Sequence, residues 1–288
     1  MARAGDLDRL GEEREAVGDA VRTFAAAGDA DSALELVGRA WRIWLSRGEL
    51  DEGSAVVAAA LEVPTGSAVR VWRVRALYAD GLFAFRAGDQ RRSRARNEEA
   101  LRIAREAGDA RGECDALTGL ARVALRDGRY GGVVTFARQA RDRAQAAGDR
   151  EAEAGPLHLQ AAGVRLQGDY PRARVLYLES LGLNTELGNA AWVAMEQHNL
   201  GWIELHLGNL DEAGARFRER DVRAGTDAYS DAWSELNWSA VAVARGDTGE
   251  AQRRFAIGRQ ALETLGVALD PDDQLELDWL SRQLRPAG

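Results

Sequence analysis

The stretch AAWVAMEQHNLGWIELHLGNLDEAGARFRER, residues 190–220, decides the fold. Its first half sets Trp192, Met195, Leu200, Ile203 and Leu207 largely at three- and four-residue spacings, the period of a helix with one apolar side. Gly208 suits the left-handed conformation that ends a helix. Asn209 then stands at the N-cap of the next helix, where its side chain can accept from free backbone N–H groups. Leu210, Ala213 and Phe217 mark the buried side of that second helix. Counting back from Gly208 in steps of 20, Gly188, Gly168, Gly148, Gly128, Gly108 and Gly88 all fall on the grid, most of them followed by Asp or Asn. Two helices per 40 residues, repeated along the chain, predict an all-α, right-handed superhelical solenoid whose hairpins bury their faces on one another.

Outward from this hairpin the same grammar holds. Residues 1–6 read as frayed, 7–27 as a first helix and 30–47 as a second, with a partner over 50–61. Pro64-Thr65-Gly66 is the least regular joint. Hairpins follow at 67–107, 110–147, 150–187, 190–224 and 227–265, the last with Gly246 two residues ahead of the grid. Asp270-Pro271 supplies an N-cap and a first-turn proline for a final helix to about residue 284. Its Leu275, Trp279 and Leu280 are expected to cover the open end of the stack. The expected organisation is one helical-repeat domain over 1–288: an N-terminal helix (1–28), six hairpins (29–266) and a capping helix (267–288).

Composition narrows the chemistry. A formal charge of −8 and a pI near 5.2 disfavour general nucleic-acid binding, which needs a basic surface. All 38 basic residues are Arg, a sign of GC-rich bacterial coding. Without lysine, no phosphate-loop lysine, Schiff base or Ser-Lys dyad can be built. Cys114 is the one cysteine, which excludes an internal disulfide and fits a reduced cytoplasm. The charged N-terminal stretch lacks the apolar core of a signal peptide, and the run 55–61 is too short to span a bilayer.

The turn-flanking residues carry a family resemblance. With the mid-turn glycine numbered 15, tetratricopeptide repeats place Leu-Gly at 7–8, Ala at 20 and a large residue at 24; Leu200-Gly201, Gly208, Ala213 and Phe217 match. So do Leu120-Ala121 with Gly128, Gln160-Ala161 with Gly168, Ala173 and Tyr177, and Gly246 with Ala251 and Phe255. The period exceeds that family's usual value of about 34, so each helix is about a turn longer. AWRIWLSRGELDEG (residues 40–53) and ALRIAREAGDARGECDALTGLARVALRDGRY (residues 100–130) further resemble the repeat arm of large bacterial ATPase-type transcriptional regulators, the LuxR-type and antibiotic-pathway regulators among them. That resemblance implies a module that senses an inducer or binds a regulatory partner. No P-loop and no DNA-binding segment accompany it, so no ATPase role transfers to any residue.

Catalytic signatures are absent: there is no Gly-x-Gly, GxSxG, HExxH or CxxC, and no enzyme, cofactor or metal is expected. His158 and His198 lie 40 residues apart, hence at one repeat position, number 5 of consecutive hairpins. Equivalent positions stand too far apart to share a metal ion. The run Arg91-Arg92-Ser93-Arg94-Ala95-Arg96 falls on an outer helix and reads as a solvated convex face.

Positions 2, 5, 6, 9, 12 and 13 of each inner helix should line the concave groove. In the first four hairpins they include Arg39, Arg42, Arg75, Arg86, Arg122, Arg126 and Arg165, with Tyr78 beside them and Glu35 and Asp115 opposed. In the last two they include Met195, His198, Asn199, Trp202, His206, Trp233 and Asn237; Trp202 and Trp233 read as surface residues. The groove residues Arg39, Arg42, Arg75, Tyr78, Arg122, Arg126, His158, Arg165, Met195, His198, Asn199, Trp202, Trp233 and Asn237 are therefore the candidate site. Guanidinium groups grip carboxylate or phosphate. The reading is a non-catalytic module for an anionic peptide or protein segment. The alternatives are a small-molecule or signalling-peptide sensor and an enzyme on a helical scaffold. Internal pairing of the arginines with carboxylates is equally open at this point.

Overall fold

The structure, a computed structural model, describes residues 13–64, 70–223, 227–266 and 269–285. Among them every regular element is a helix. In order these are α1 (Arg14–Ala26), α2 (Ala30–Ala40), α3 (Arg42–Arg47), α4 (Leu50–Glu62), α5 (Arg70–Arg86), α6 (Gln90–Ala107), α7 (Ala110–Arg126), α8 (Tyr130–Ala146), α9 (Arg150–Leu166), α10 (Tyr170–Glu186), α11 (Ala190–His206), α12 (Leu210–Arg223), α13 (Ala228–Ala244), α14 (Thr248–Leu265) and α15 (Pro271–Gln283). Residues 1–6, the start of the first expected helix and Thr65-Gly66 of the irregular joint lie outside the described residues. The chain is an all-α assembly of tetratricopeptide-like hairpins, with α5/α6, α7/α8, α9/α10, α11/α12 and α13/α14 as the regular pairs.

Contacts divide the chain into two compact units, Met1–Ala124 with Phe136–Glu153, and Leu125–Thr135 with Ala154–Gly288. In unit one Trp41, Trp44, Val56, Leu77, Phe83, Leu117 and Ala140 share one buried cluster. Unit two holds one cluster of Trp202, Phe217, Trp233, Leu236 and Leu280, and another of Tyr177, Leu200 and Ile203.

The turns follow from two side chains. Gly208 sits at φ +82°, open to glycine and strained for any other residue, and the other grid glycines share that sign. The following Asp then caps the next helix: Asp89 accepts from the Arg92 N–H at 2.9 Å and Asp149 from the Ala152 N–H at 3.0 Å. The two Asn positions behave differently. Asn209 donates its amide to buried Glu204 at 2.8 Å, and Asn189 makes no side-chain cap and donates to Asn184 at 3.1 Å. An amide carries N–H donors that a carboxylate lacks, and a buried acceptor nearby claims them first.

Two further expectations need correction. The helix over 30–47 is divided at Trp41, although that residue keeps helical angles (φ −50°, ψ −28°). The basic run on α6 is no purely solvated face. Arg92 and Arg96 both reach the fully buried carboxylate of Asp80, Arg96 at 2.7 Å, and Arg92 also donates to Ser54 at 3.1 Å. A buried carboxylate demands cations, and these two arginines satisfy it.

Within a hairpin the helices touch where the repeat places a small residue. A Cβ at Gly201 would lie 2.3 Å from the Phe217 ring, which is itself fully buried. Gly182, exposed on α10, has nothing within 4 Å of such an atom. Gly201→Ala is therefore expected to destabilise unit two by about 1–3 kcal/mol through overpacking. Gly182→Ala should instead stabilise by about 0.5–1 kcal/mol through helix propensity. Denaturant unfolding of the two variants beside the wild type checks the opposite signs.

Candidate functional site

The first helix of each hairpin carries the candidate residues, and the two units use them in different ways. In unit one Gly38, Trp41 and Arg42, then Arg75 and Tyr78 of α5, then Arg111, Asp115, Asp149 and Glu151 line a cleft of about 370 Å³. Its basic groups are held differently from one another. Arg111 is tied down, to Asp115 at 3.2 Å and Asp149 at 2.6 Å. Burial works against its charge, but those carboxylates outweigh it and raise its pKa further. Asp115 moves the other way, since burial raises its pKa despite Arg111.

Arg42 and Arg75 have no such carboxylate within ion-pair distance among the described residues, and both are half-buried. They lie on aromatic rings instead. Arg42 stacks 4.3 Å from the Trp41 centroid, and Arg75 5.1 Å from Trp72, whose ring is also 5.0 Å from Arg39. Burial lowers the Arg42 pKa, an effect that Tyr78 and Asp115 partly offset. Tyr78 is fixed by an edge-on contact to Trp41, centroids 5.9 Å apart, and by the Arg122 guanidinium, which donates to its hydroxyl at 2.9 Å. Arg39 is exposed and paired with Glu35 at 2.7 Å, and Arg86 is exposed.

In unit two the same helix positions are filled from within. The final helix, expected to close the end of the stack, lies instead against the first helices of successive hairpins. Arg165 of α9 is about 1% exposed and pairs with Glu276 of α15, while donating to Asn199 of α11. Asp272 stands 4.0 Å from the same guanidinium. On α11, His206 meets Glu276 at 2.8 Å and His198 meets Asp273 at 3.7 Å. Tyr229 of α13 donates to Asp273 at 2.6 Å. Arg126, the last residue of α7, reaches Asp270 at 3.4 Å, and Asp270 makes no capping bond of its own. Trp279 packs edge-on against Trp202 at 5.8 Å and His206 at 5.6 Å.

Trp202 and Trp233, expected at the surface, are buried at 0% and 2% exposure. Their first-helix positions face α15 or the next hairpin. Trp202 donates its indole N–H to Asn237 at 2.8 Å, and Trp233 stacks edge-on against His198 at 5.0 Å. The position-5 histidines link successive hairpins: His158 meets Glu196 at 3.1 Å, and His198 bonds Asn237 at 3.2 Å. Met195, by contrast, is exposed. Cys114 is buried, and desolvation pushes its pKa up to about 12, the state of an inert thiol.

The sequence reading missed Arg111, Asp149, Tyr229 and the acidic face of α15. Two signals were available. Arg111 and Asp149 are 38 residues apart, so they nearly share a repeat position with opposite charge. Asp272, Asp273 and Glu276 lie within a helical turn of one another, on the side that carries Trp279 and Leu280.

No protein-family model and no curated protein matches the chain. Solved structures share its fold. A Rap protein complexed with competence and sporulation factor matches at TM-score 0.63 and 14% identity, over 94% of this chain and 80% of that one. The Rap conjugation gene regulator of plasmid pLS20, in complex with the Phr* peptide, gives 0.59 and 14% over the same shares. A tetratricopeptide repeat protein from Parabacteroides merdae gives 0.55 and 13%, over 94% of this chain and 99% of that one. These likenesses show a tetratricopeptide-like fold. Among the described residues no helix is long and apolar enough to cross a membrane.

The contacts of α15 make its docking pH-dependent. Burial raises the Asp273 and Glu276 pKa values, but His198 and Tyr229 at Asp273, and Arg165 and His206 at Glu276, outweigh it and hold both below the ordinary range. Burial and then repulsion from Asp273 hold Asp272 above that range, against the pull of Arg165 and His158. Lowered carboxylates stabilise docking above their ordinary pKa and lose that contribution as pH falls through the lowered values; Asp272 contributes with the opposite sign. With two groups against one, α15 should undock as pH drops below about 4. The difference in tryptophan emission between wild type and Trp279→Phe should report this before helical ellipticity is lost.

Proposed function

We propose that this chain is a non-catalytic regulatory module that binds an anionic peptide or protein segment on its first-helix face, with the unit-one cleft as the receiving site. The observation that carries the reading is the pair Arg42 and Arg75, half-buried over a cleft and without a carboxylate partner among the described residues. A guanidinium stacked on an indole presents its N–H edge sideways, where a carboxylate or phosphate can take two hydrogen bonds. Arg111, already held by Asp115 and Asp149, adds positive potential to the wall. Arg39, Tyr78 and Arg122 set the rim and keep the aromatic floor in place. The solved Rap neighbours hold a factor or a peptide, which supports a peptide-scale ligand. The overall charge of −8 favours a protein or peptide over nucleic acid. A cytoplasmic, bacterial regulatory setting fits this reading.

One observation favours a second reading. The cleft volume of about 370 Å³ lies in the range of small-ligand pockets, so a compact anionic inducer is the alternative occupant.

Anisotropy titrations with fluorescein-labelled acidic and basic 12-residue peptides, matched in length, and with a free dicarboxylate, test both. Acidic peptides should bind, weaken several-fold from low to physiological salt, and lose at least tenfold in affinity with Arg42→Glu/Arg75→Glu at unchanged helicity. Equal binding by that variant removes the cleft from the account. Competition by the dicarboxylate alone shifts it to the sensor reading.

A further inference from the structure

The face that unit two presents is already occupied, and its occupant has a definite chemistry. Asp273 and Glu276 of α15 lie three residues apart, on one face with Trp279 and Leu280. They meet Tyr229, His198, Arg165 and His206 in turn, while Trp279 enters between Trp202 and His206. Helix α15 is lightly anchored for a helix of the core: of its 13 residues, Glu276 and Leu280 are buried. The corresponding stretch of α13 buries Ala232, Trp233, Leu236, Asn237, Ser239, Ala240, Val241 and Ala242. Its hold is also chiefly ionic. In a buried pair such as Arg165–Glu276 desolvation cancels much of the attraction, so the contact contributes selectivity more than strength. The receptor side does not need α15 to stay folded, because α11 and α13 pack on their own second helices through Phe217 and Leu262.

We propose that the first-helix face of unit two is a receptor for an acidic amphipathic helix, and that α15 is its intramolecular occupant. The partner it fits is a protein helix with the pattern acid-acid-x-x-acid-x-x-Trp-Leu, which takes the place of α15. Arg165 and His206 read the central carboxylate, His198 and Tyr229 the one a turn earlier, and Trp202 the aromatic residue. Tethering holds α15 in place at a high effective concentration, so a partner helix succeeds when it binds more tightly than α15 or when α15 is displaced. This deepens the binding reading by naming a partner class for a second surface. Its test touches unit-two residues alone, so its failure and that of the unit-one cleft are told apart.

The probe is a fluorescein-labelled peptide of residues 269–285, LDPDDQLELDWLSRQLR, with a scrambled control. The receptor is the full chain, as wild type, as Asp273→Lys/Glu276→Lys to release α15, and as the released form carrying Arg165→Glu as well. Released chain should bind the peptide at least tenfold more tightly than wild type, and Arg165→Glu should reverse at least tenfold of that gain. Far-UV circular dichroism verifies folding. The milder Glu276→Gln should give an intermediate gain if the double variant is unstable. A folded released chain that ignores the peptide, or binds it regardless of Arg165, overturns the proposal. Loss of fold in both release variants overturns it too, making α15 a structural element. A wild-type dimer at micromolar concentration that the peptide dissolves would make a second copy the occupant and overturn the partner assignment.

Discussion

The constraint behind this structure is the fixed 20-residue step from one turn glycine to the next. Helices of 17 residues, as in α7 to α11, with three residues of turn between them, bring every hairpin into the same phase as its neighbour. Side chains at one repeat position then meet the position one or two residues earlier in the next hairpin. Arg111 reaches Asp149, Cys114 the Ala152 carbonyl and His158 Glu196, each across 38 residues. A repeat with variable turns would scatter these bonds. The positive-φ glycine and the capping Asp after it therefore do more than end helices, because they set which polar groups can find each other.

That register explains how so many polar side chains are buried along the first helices. Asp80, Glu196, Glu204 and Asn237 are all fully buried, an arrangement that would be costly if any were left unpaired. Each has its partner on an adjacent helix: Asp80 takes Arg92 and Arg96, Glu196 takes Ser180 and His158, and Glu204 takes Arg174 and Asn209. Asn237 serves Trp202 and His198. Such networks do little for net stability but penalise any slipped packing of one hairpin on the next.

The fold was legible because its signals are local. Glycine spacing, the Gly-Asp turn and the Leu-Gly/Ala/Phe positions each act within one hairpin, and Gly201 against Phe217 shows the physical content of one of them. The site was legible in part. Repeat position identified Arg42 and Arg75 as groove residues, and burial and stacking on tryptophan give that placement its chemistry. Position could not say which arginines are spent on internal carboxylates, since Arg165 and Glu276 are 111 residues apart. Trp202 and Trp233 were misread for the same reason: a groove position is a surface only if nothing fills the groove. The acids of α15 resembled the carboxylates that ordinarily favour a helix N-terminus, and their pairing with a distant basic face has no local signature.

The two units thus answer one electrostatic problem in two ways. Both place guanidinium groups on first-helix positions beside tryptophan, where a cation keeps its charge but loses part of its hydration. In unit two the chain supplies the counter-charge itself, through Asp270, Asp272, Asp273 and Glu276. In unit one, Arg111 is neutralised by Asp115 and Asp149, while Arg42 and Arg75 keep aromatic faces and no carboxylate. An acidic chain carries enough carboxylates to have paired them as well. That they stand over a cleft beside a fixed Tyr78, in a fold whose other buried charges are consistently matched, is what makes the absent counter-charge read as one that a ligand provides.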